Sequence, residues 1–240
     1  MYKRQYAYDA KDPLRSYVQS RRAHNSVDIP DHDYDLSTSV ELTRHIKERD
    51  FEYFEFQDPG YSGIKLVRQI IVALHARKIF VRDRVASGTP ATPRQNWHLS
   101  PDAGHRKADA SNIFVKGKSS SLWLSQLTEP TNAHVVSGHK HPYVGWHSPT
   151  WRKAIPVRTV SINVPLTTTG LVTMIDFSEN TSAPILINKT VEGASEFAAT
   201  VASSGKSFHV GFGPNWAGLS FNETSNTEDF VRTARDEFAH

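Results

Sequence analysis

The chain carries 12 histidines and no cysteine among its 240 residues, which limits the chemistry open to its side chains. Without a thiolate there is no cysteine nucleophile, disulfide, iron–sulfur cluster or zinc ribbon, so a bound metal would need imidazole and carboxylate ligands. The histidines are densest between His134 and His147, where His139 and His141 form a His-x-His pair. This pair is a candidate for metal ligation, although histidines on a polar loop are more often solvated.

Three aspartates offer a second candidate metal site. Asp31, Asp33 and Asp35 alternate along a short segment and could supply oxygen ligands to calcium. The glycine-containing loop of an EF-hand is missing, however, which weakens that interpretation. The sequence also lacks a nucleophile-elbow Gly-x-Ser-x-Gly, a glycine-rich phosphate loop and a His-Glu-x-x-His motif, so triad hydrolysis, nucleotide binding and zincin chemistry lose their usual support.

Charge and hydropathy exclude further classes of function. The chain has 28 basic and 25 acidic side chains and a net charge of +3. The two signs are interleaved, which allows only weak attraction to a polyanion, and no nucleic-acid partner is expected. No apolar run approaches the roughly 18 residues that a membrane span needs. Residues 1–5 are short and polar, so no signal peptide is predicted in this chain.

The elements that would position these groups are predicted to be strands. Runs rich in Val, Ile, Phe, Tyr and Trp are separated by Gly, Pro, Asn and Ser clusters, as in β proteins. The clearest pair is 64–74 with 78–85, joined by a short polar link, which predicts a hairpin. In the second run apolar Val81 alternates with charged Arg82, which predicts one buried face and one wetter face.

A single helix is predicted, at 228–238, with Thr227 as its N-cap. The stretch 128–152 is rich in Pro, Gly and His and is predicted to be a loop that crosses between sheets. The overall prediction is an all-β sandwich. The further predicted strands are 40–48, 51–56, 96–99, 112–116, 121–127, 157–165, 171–177, 184–189, 195–202 and 207–212.

One segment carries the most specific signal. The letters R-S-Y at 15–17 and A-H-N-S-V at 23–27 resemble a stretch at the centre of the heparinase II/III-like polysaccharide lyases. The strand pair within 63–85, N-W-H-L at 96–99 and G-W-H-S at 145–148 are similar to later elements of that family, in the same order. Four elements in order make a chance match improbable.

The resemblance implies a two-layer antiparallel β-supersandwich, here with one short C-terminal helix, spanning 1–240 as a single domain. In the family this domain partners an upstream (α/α) toroid, so the chain is expected to be a fragment that lacks it. The complete parent would be a periplasmic or extracellular polysaccharide lyase that cleaves an acidic, uronate-containing polysaccharide, alginate or a glycosaminoglycan, by β-elimination. The isolated fragment is expected to be inactive.

The resemblance also implies roles for individual residues. His24 matches a ligand of a structural Zn²⁺ in the complete parent, and the His and Asp partners of that ligand lie upstream of this sequence. Tight zinc binding by the chain alone is therefore not expected, and His24 is expected to be buried on the first paired strand. Tyr8 matches a catalytic tyrosine, while Arg15 and Arg22 are candidate ligands of the anionic sugar.

Two alternatives remain at this point. A noncatalytic carbohydrate-binding β-sandwich would use Trp123, Trp146 and Trp151 as an exposed stacking platform. A metal-binding sandwich of the cupin kind would need three histidines that converge inside a barrel. Exposure of the tryptophans favours the binding module, whereas burial of Trp146 and Trp151 favours the lyase scaffold.

Overall fold

The computed structural model describes residues 9, 11–107, 109–128, 133–166, 170–177, 182–190, 196–213 and 217–222. It is 58% strand and 5% helix, which confirms the predicted all-β class. The strands described, in chain order, are β1 (Val27–Asp28), β2 (Glu41–Lys47), β3 (Phe51–Asp58), β4 (Ile64–Ala73), β5 (Lys78–Ser87), β6 (Arg94–His98), β7 (Gly104–Lys107), β8 (Asn112–Lys116), β9 (Ser121–Gln126), β10 (His134–Ser137), β11 (His139–Lys140), β12 (Tyr143–Val144), β13 (Trp146–Thr150), β14 (Lys153–Pro156), β15 (Arg158–Asn163), β16 (Leu171–Asp176), β17 (Ile185–Thr190), β18 (Phe197–Ser203), β19 (Lys206–Phe212) and β20 (Ala217–Asn222).

Most of the core is built on a central antiparallel sheet of eight strands, in the order β2-β3-β4-β5-β16-β9-β8-β7. The predicted hairpin is confirmed, because β4 pairs with β5 from Ile64 opposite Ser87 to Ala73 opposite Lys78. A front sheet, β1-β6-β15-β10, covers one face of the central sheet, and a back sheet, β17-β18-β19-β20, covers the other. The ten further strands predicted from sequence are all present, with small shifts at their ends.

Alternation along the central strands builds two separate cores. On β5, Val81 packs into the core shared with the front sheet, where it joins Val160 and Ile162. The neighbouring Phe80 points the other way and packs with Phe197 of the back sheet. The front and central sheets thus form the two-layer antiparallel sandwich that was predicted, and the back sheet adds a third layer that the sequence did not predict.

The prediction of a wetter face on β5 is wrong. Arg82 and Asp83 are both completely buried, because sheets cover both faces of the strand. The Arg82 guanidinium donates to Gln69 Oε1 at 3.3 Å and to the carbonyl of Phe212 on the back sheet at 3.2 Å. Burial lowers the pKa of Arg82 to about 10, so it still carries its charge at neutral pH.

A buried ion pair within the central sheet is contacted by two residues of the back sheet, Ser203 and Phe208. Lys78 Nζ lies 3.1 Å from an Asp176 carboxylate oxygen, and Ser203 Oγ donates to the other oxygen of the same carboxylate. The ammonium also lies 4.3 Å from the centre of the Phe208 ring. These contacts satisfy charges that would otherwise be expensive to bury.

The first described element is a helix that the sequence reading missed. Helix α1 (Pro13–Gln19) begins with Asp12 as its N-cap, whose carboxylate accepts from the Leu14 amide at 2.8 Å. Its buried side chains are Leu14 and Tyr17. The helix predicted at 228–238 lies outside the described residues.

The prediction of a strandless loop at 128–152 is also wrong. Strands β10 to β13 all begin within that stretch, and β10 pairs with β15 in the front sheet. The strands are two to five residues long, so none of them produces a clear hydrophobic alternation. Short strands of this kind are defined by tertiary pairing, which local sequence does not report.

Replacing Val81 by aspartate is expected to destabilise the chain by at least about 3 kcal/mol, because a charge would enter a dry interface between two sheets. Val81 is only 3% exposed. Urea unfolding followed by tryptophan fluorescence would measure the change. The matched control is Leu42→Asp on the edge strand β2, where the side chain is 53% exposed and a shift within about 0.5 kcal/mol is expected. Equal stability of wild type and Val81→Asp would contradict the assigned burial.

Candidate functional site

The A-H-N-S-V segment at 23–27, called the A-H-N segment below, is attached to the sandwich by a buried ion pair. Arg68 on β4 forms a bidentate ion pair with Asp83 on β5, in which Nε donates to Oδ1 at 2.7 Å and Nη2 donates to Oδ2 at 2.8 Å. The remaining guanidinium nitrogen donates to the carbonyl of Asn25 at 2.5 Å. One arginine thus couples the central sheet to the segment that the sequence marked as most specific.

The same carboxylate also orders the front sheet. Gln95 Nε2 donates to Asp83 Oδ2 at 2.7 Å, and Gln95 Oε1 accepts from Trp97 Nε1 at 2.7 Å and from Thr173 Oγ1 at 2.7 Å. Gln95, Asp83 and Thr173 are completely buried. Every polar group named here has a partner, so the network fixes the register of β6 against the central sheet.

His98 completes the attachment of the A-H-N segment. Its backbone amide donates to Asn25 Oδ1 at 2.7 Å, and its ring Nε2 lies 2.9 Å from the carbonyl of Arg22. A carbonyl can only accept, so Nε2 carries the proton, and Nδ1 accepts from Thr159 Oγ1 at 2.8 Å. Burial lowers the pKa of His98 to about 4, which keeps the ring neutral at physiological pH.

Helix α1 fixes the other side of the site. The Tyr17 hydroxyl accepts from the Trp146 amide at 3.3 Å and lies 3.4 Å from the Trp146 carbonyl. Trp146 Nε1 in turn donates to the carbonyl of His139 at 2.8 Å. The R-S-Y and G-W-H-S motifs are therefore in direct contact, although 129 residues separate Tyr17 from Trp146.

Gly145 in the G-W-H-S motif meets a backbone requirement. Its φ of +74° is in the left-handed region, and a Cβ there would lie 2.8 Å from the Val157 carbonyl oxygen and 2.9 Å from Ser137 Cα. Its own carbonyl accepts from the amides of Gly138 and Val157. Only glycine fits this position without displacing backbone.

These elements surround an open cleft of about 200 Å³. The Arg22 guanidinium lies at one wall, where Nε is 3.0 Å from Asp28 Oδ2. The β11–β12 hairpin forms another wall. The cleft is lined by Arg22, Asp28, Arg94, Asn96, His134, Val136, His139, Pro142, Val144 and Ser161.

The sequence-predicted residues do not all meet at this cleft. Arg22 lines it, whereas Arg15 is half-buried on α1 and is not among the lining residues. The prediction that His24 is buried on the first paired strand is wrong, because His24 is exposed and precedes β1. Tyr8 lies outside the described residues.

The sequence analysis missed the cleft residues of the front sheet. Arg94, Asn96 and Ser161 come from two strands that are far apart in the chain and adjacent in space, since Asn96 pairs with Ser161. The only local signal was that β15 carries polar residues at alternate positions and that β6 is polar along most of its length. That pattern indicates a polar face but not what lies over it.

The candidate metal ligands do not assemble in the part of the chain that the structure describes. No group of three or more His, Asp or Glu side chains there is arranged to hold a metal ion. His139 Nδ1 donates to the Pro142 carbonyl at 2.9 Å, and the Asp35 carboxylate accepts from Ser37. The calcium and cupin-like alternatives therefore have no support among these residues.

The three tryptophans do not form a stacking platform. Trp123 is 1% exposed and packs against Phe114, whereas Trp151 is 45% exposed and Trp146 is half-buried. A sugar-stacking surface needs several aromatic faces open together. The alternative of a noncatalytic carbohydrate-binding module therefore loses its main feature. The burial of Trp146 and Trp151 that was expected for the lyase scaffold is not met either, because Trp151 is exposed.

A family model described as heparinase II/III-like, C-terminal, matches residues 5–198. The chain belongs to this family. No curated protein matches it by sequence. Within the described residues, no helix has both the length and the apolar character that crossing a membrane requires.

Solved structures share the fold of this family member. A mutant heparan sulfate lyase from Pedobacter heparinus superposes with a TM-score of 0.70 at 13% identity, covering 87% of this chain and 33% of that chain. The heparan sulfate lyase from the same organism gives 0.67 at 12% identity, covering 93% and 34%. A heparinase III gene product gives 0.67 at 16% identity, covering 87% and 33%. The chain thus spans about a third of the length of these structures.

Replacing Arg68 by methionine is expected to destabilise the chain by about 3–5 kcal/mol, because Asp83 would be left as a buried charge without its main partner. Urea unfolding measures the loss. Lys65→Met is the matched control, because Lys65 is an exposed cation on the same strand and a change within about 0.5 kcal/mol is expected. The double variant Arg68→Met/Asp83→Leu should recover part of the loss, and an unaltered Arg68→Met protein would contradict the role of the pair.

Stability is expected to fall as the pH drops from about 6.5 towards 4. The unfolded chain takes up a proton on His98 near its ordinary pKa of 6.5, whereas the folded chain does so only near 4. Protonation therefore favours the unfolded state in this window, by up to about 1.4 kcal/mol per pH unit. Denaturant unfolding across this range should show a shallower pH dependence for His98→Gln, and equal slopes would contradict the lowered pKa.

Proposed function

We propose that this chain is the C-terminal portion of a polysaccharide lyase that cleaves a uronate-containing acidic polysaccharide by β-elimination. The supporting observation is the family match over residues 5–198, together with a fold shared with structures of a heparan sulfate lyase. Heparan sulfate is therefore the first candidate substrate, with other glycosaminoglycans and alginate as further candidates because they too contain uronates.

The chemistry of β-elimination explains why a cationic group in the wall of the cleft would be useful. β-Elimination removes the proton alpha to the uronate carboxylate, forms a carbon–carbon double bond and expels the glycosidic oxygen at the β carbon, which leaves with a proton. The negative charge that develops on the carboxylate must be stabilised by hydrogen-bond donors or cations. Arg22 is a suitable donor, because its guanidinium lies in the cleft and its carbonyl is held by His98.

The proposal divides the reaction between two domains. Since the chain spans about a third of the similar structures, we assign the opposing wall of the substrate cleft to an upstream (α/α) toroid in a longer, periplasmic or extracellular parent chain. Tyr8 is proposed as the tyrosine that moves a proton from the sandwich side, with Arg15 and Arg22 facing the acidic substrate. The described part of the chain then supplies binding and orientation.

Zinc has no step in this mechanism. His24 is a solvent-exposed side chain, and the described residues do not supply a ligand set around it. A structural zinc needs about four ligands, so His24 would need partners from elsewhere in the parent. We propose His24 as a ligand only in that longer chain.

The test compares the 240-residue chain with the product of the gene extended through its upstream coding sequence. Absorbance of the unsaturated uronate product is followed on heparan sulfate, chondroitin sulfate, hyaluronan and alginate. The extended protein is expected to cleave at least one of them, and the 240-residue chain none. Loss of one wall removes oriented groups whose effective molarity reaches about 10⁵ M or more.

Tyr8→Phe in the extended protein is expected to abolish turnover. Tyr34→Phe is the matched control, because the Tyr34 hydroxyl donates to Asp58 and does not line the cleft. Cleavage by the 240-residue chain alone, lost in Tyr8→Phe, would overturn the division between two domains. Failure of the extended protein on all four substrates would overturn the proposed lyase function. Zinc analysis of the extended protein and of its His24→Ala variant tests the metal assignment separately.

A further inference from the structure

We propose that the cleft is a subsite for the anionic group of one sugar unit, in which Arg94 is the main cation and Asn96 and Ser161 are the hydrogen-bonding floor. This inference rests on the proposed function and adds to it the residues that hold the acidic group.

Asn96 and Ser161 are largely buried residues whose side chains line the cleft. They are 2% and 3% exposed, and they are paired directly across β6 and β15 on the side of the sheet that faces the cleft. Among the described residues neither side chain makes a hydrogen bond, whereas their strand neighbours Gln95 and Trp97 are satisfied. Their polar atoms are not sealed inside the protein but open onto the cleft, so they are available to a ligand or to water.

The charge balance of the cleft favours an anion. Arg22 is already paired with Asp28 at 3.0 Å, so these two charges largely offset each other. Arg94 also lines the cleft and forms no ion pair with any described residue. The lining therefore holds two guanidinium groups against one carboxylate, and Arg94 carries the uncompensated charge.

The donor types fit a carboxylate or a sulfate ester better than a metal or a neutral sugar. A metal ion would face Arg94 and only one carboxylate. A guanidinium offers a planar fork that matches two oxygens of an anion, and the Asn96 amide and Ser161 hydroxyl add further donors. The cleft volume of about 200 Å³ equals roughly six or seven water molecules, which leaves room for one charged substituent and part of its ring.

Two sources could supply this anion on a glycosaminoglycan. The uronate carboxylate is present in every such chain considered above, whereas a sulfate ester is present in heparan sulfate and absent from hyaluronan. If a variant weakens the binding of hyaluronan and of heparan sulfate equally, the bound group is the carboxylate. A loss confined to heparan sulfate indicates the sulfate.

The experiment is calorimetric titration of the 240-residue chain with size-matched hexasaccharides of hyaluronan, heparan sulfate and neutral maltose units. Wild type is expected to bind one or both acidic hexasaccharides and not the neutral one. Arg94→Gln is expected to weaken acidic binding about tenfold, the loss typical of one charge-assisted hydrogen-bonded contact. Lys65→Gln removes the same charge from an exposed site outside the cleft and is expected to change binding less than about twofold.

Ser161→Ala serves as a second variant, because it is nearly isosteric and is expected to retain the fold even if Arg94→Gln does not. It should weaken acidic binding several-fold, with thermal unfolding as the folding control. Acidic binding that is unchanged in both variants would overturn the subsite and leave the proposed lyase function intact. No acidic binding by wild type would also overturn the subsite, whereas the lyase function is decided by the cleavage assay on the extended protein.

Discussion

The buried pair of Arg68 and Asp83 holds the fold and the candidate site together. Asp83 is completely buried and lies where the central sheet, the front sheet and the A-H-N segment meet. A charge in this position would be very unfavourable alone, and it is tolerated because Arg68 and Gln95 satisfy both carboxylate oxygens. The geometry of the cleft therefore depends on a contact that lies outside it.

A sheet covered on both faces explains why this protein buries so many polar groups. The front sheet is attached through Asp83, and the back sheet through the contacts of Ser203 with Asp176 and of the Phe212 carbonyl with Arg82. Each interface thus has a fixed polar contact inside an otherwise apolar layer. Apolar packing alone would permit small shifts of one sheet against another. Hydrogen bonds and ion pairs with defined angles restrict the sheets to one register.

The sequence predicted the strands well because most of them are short runs rich in Val, Ile, Leu and aromatic residues bounded by turn residues, as β4 and β16 are. It did not predict that Arg82 and Asp83 are buried, because a charged residue on a strand normally indicates solvent, and only the back sheet and the Arg68 partner reverse that inference. The cleft was missed for a related reason. Asn96 and Ser161 become neighbours only through the pairing of β6 with β15, and no local pattern encodes that pairing. Short strands such as β11 and β12 also escaped detection.

The A-H-N segment is held largely through its backbone. Arg68 and His98 bind the carbonyls of Asn25 and Arg22, and the principal side chain used in return is that of Asn25. Contacts to backbone carbonyls set the path of this segment without specifying its side chains. The surface chemistry beside the cleft can therefore differ between chains that share this attachment.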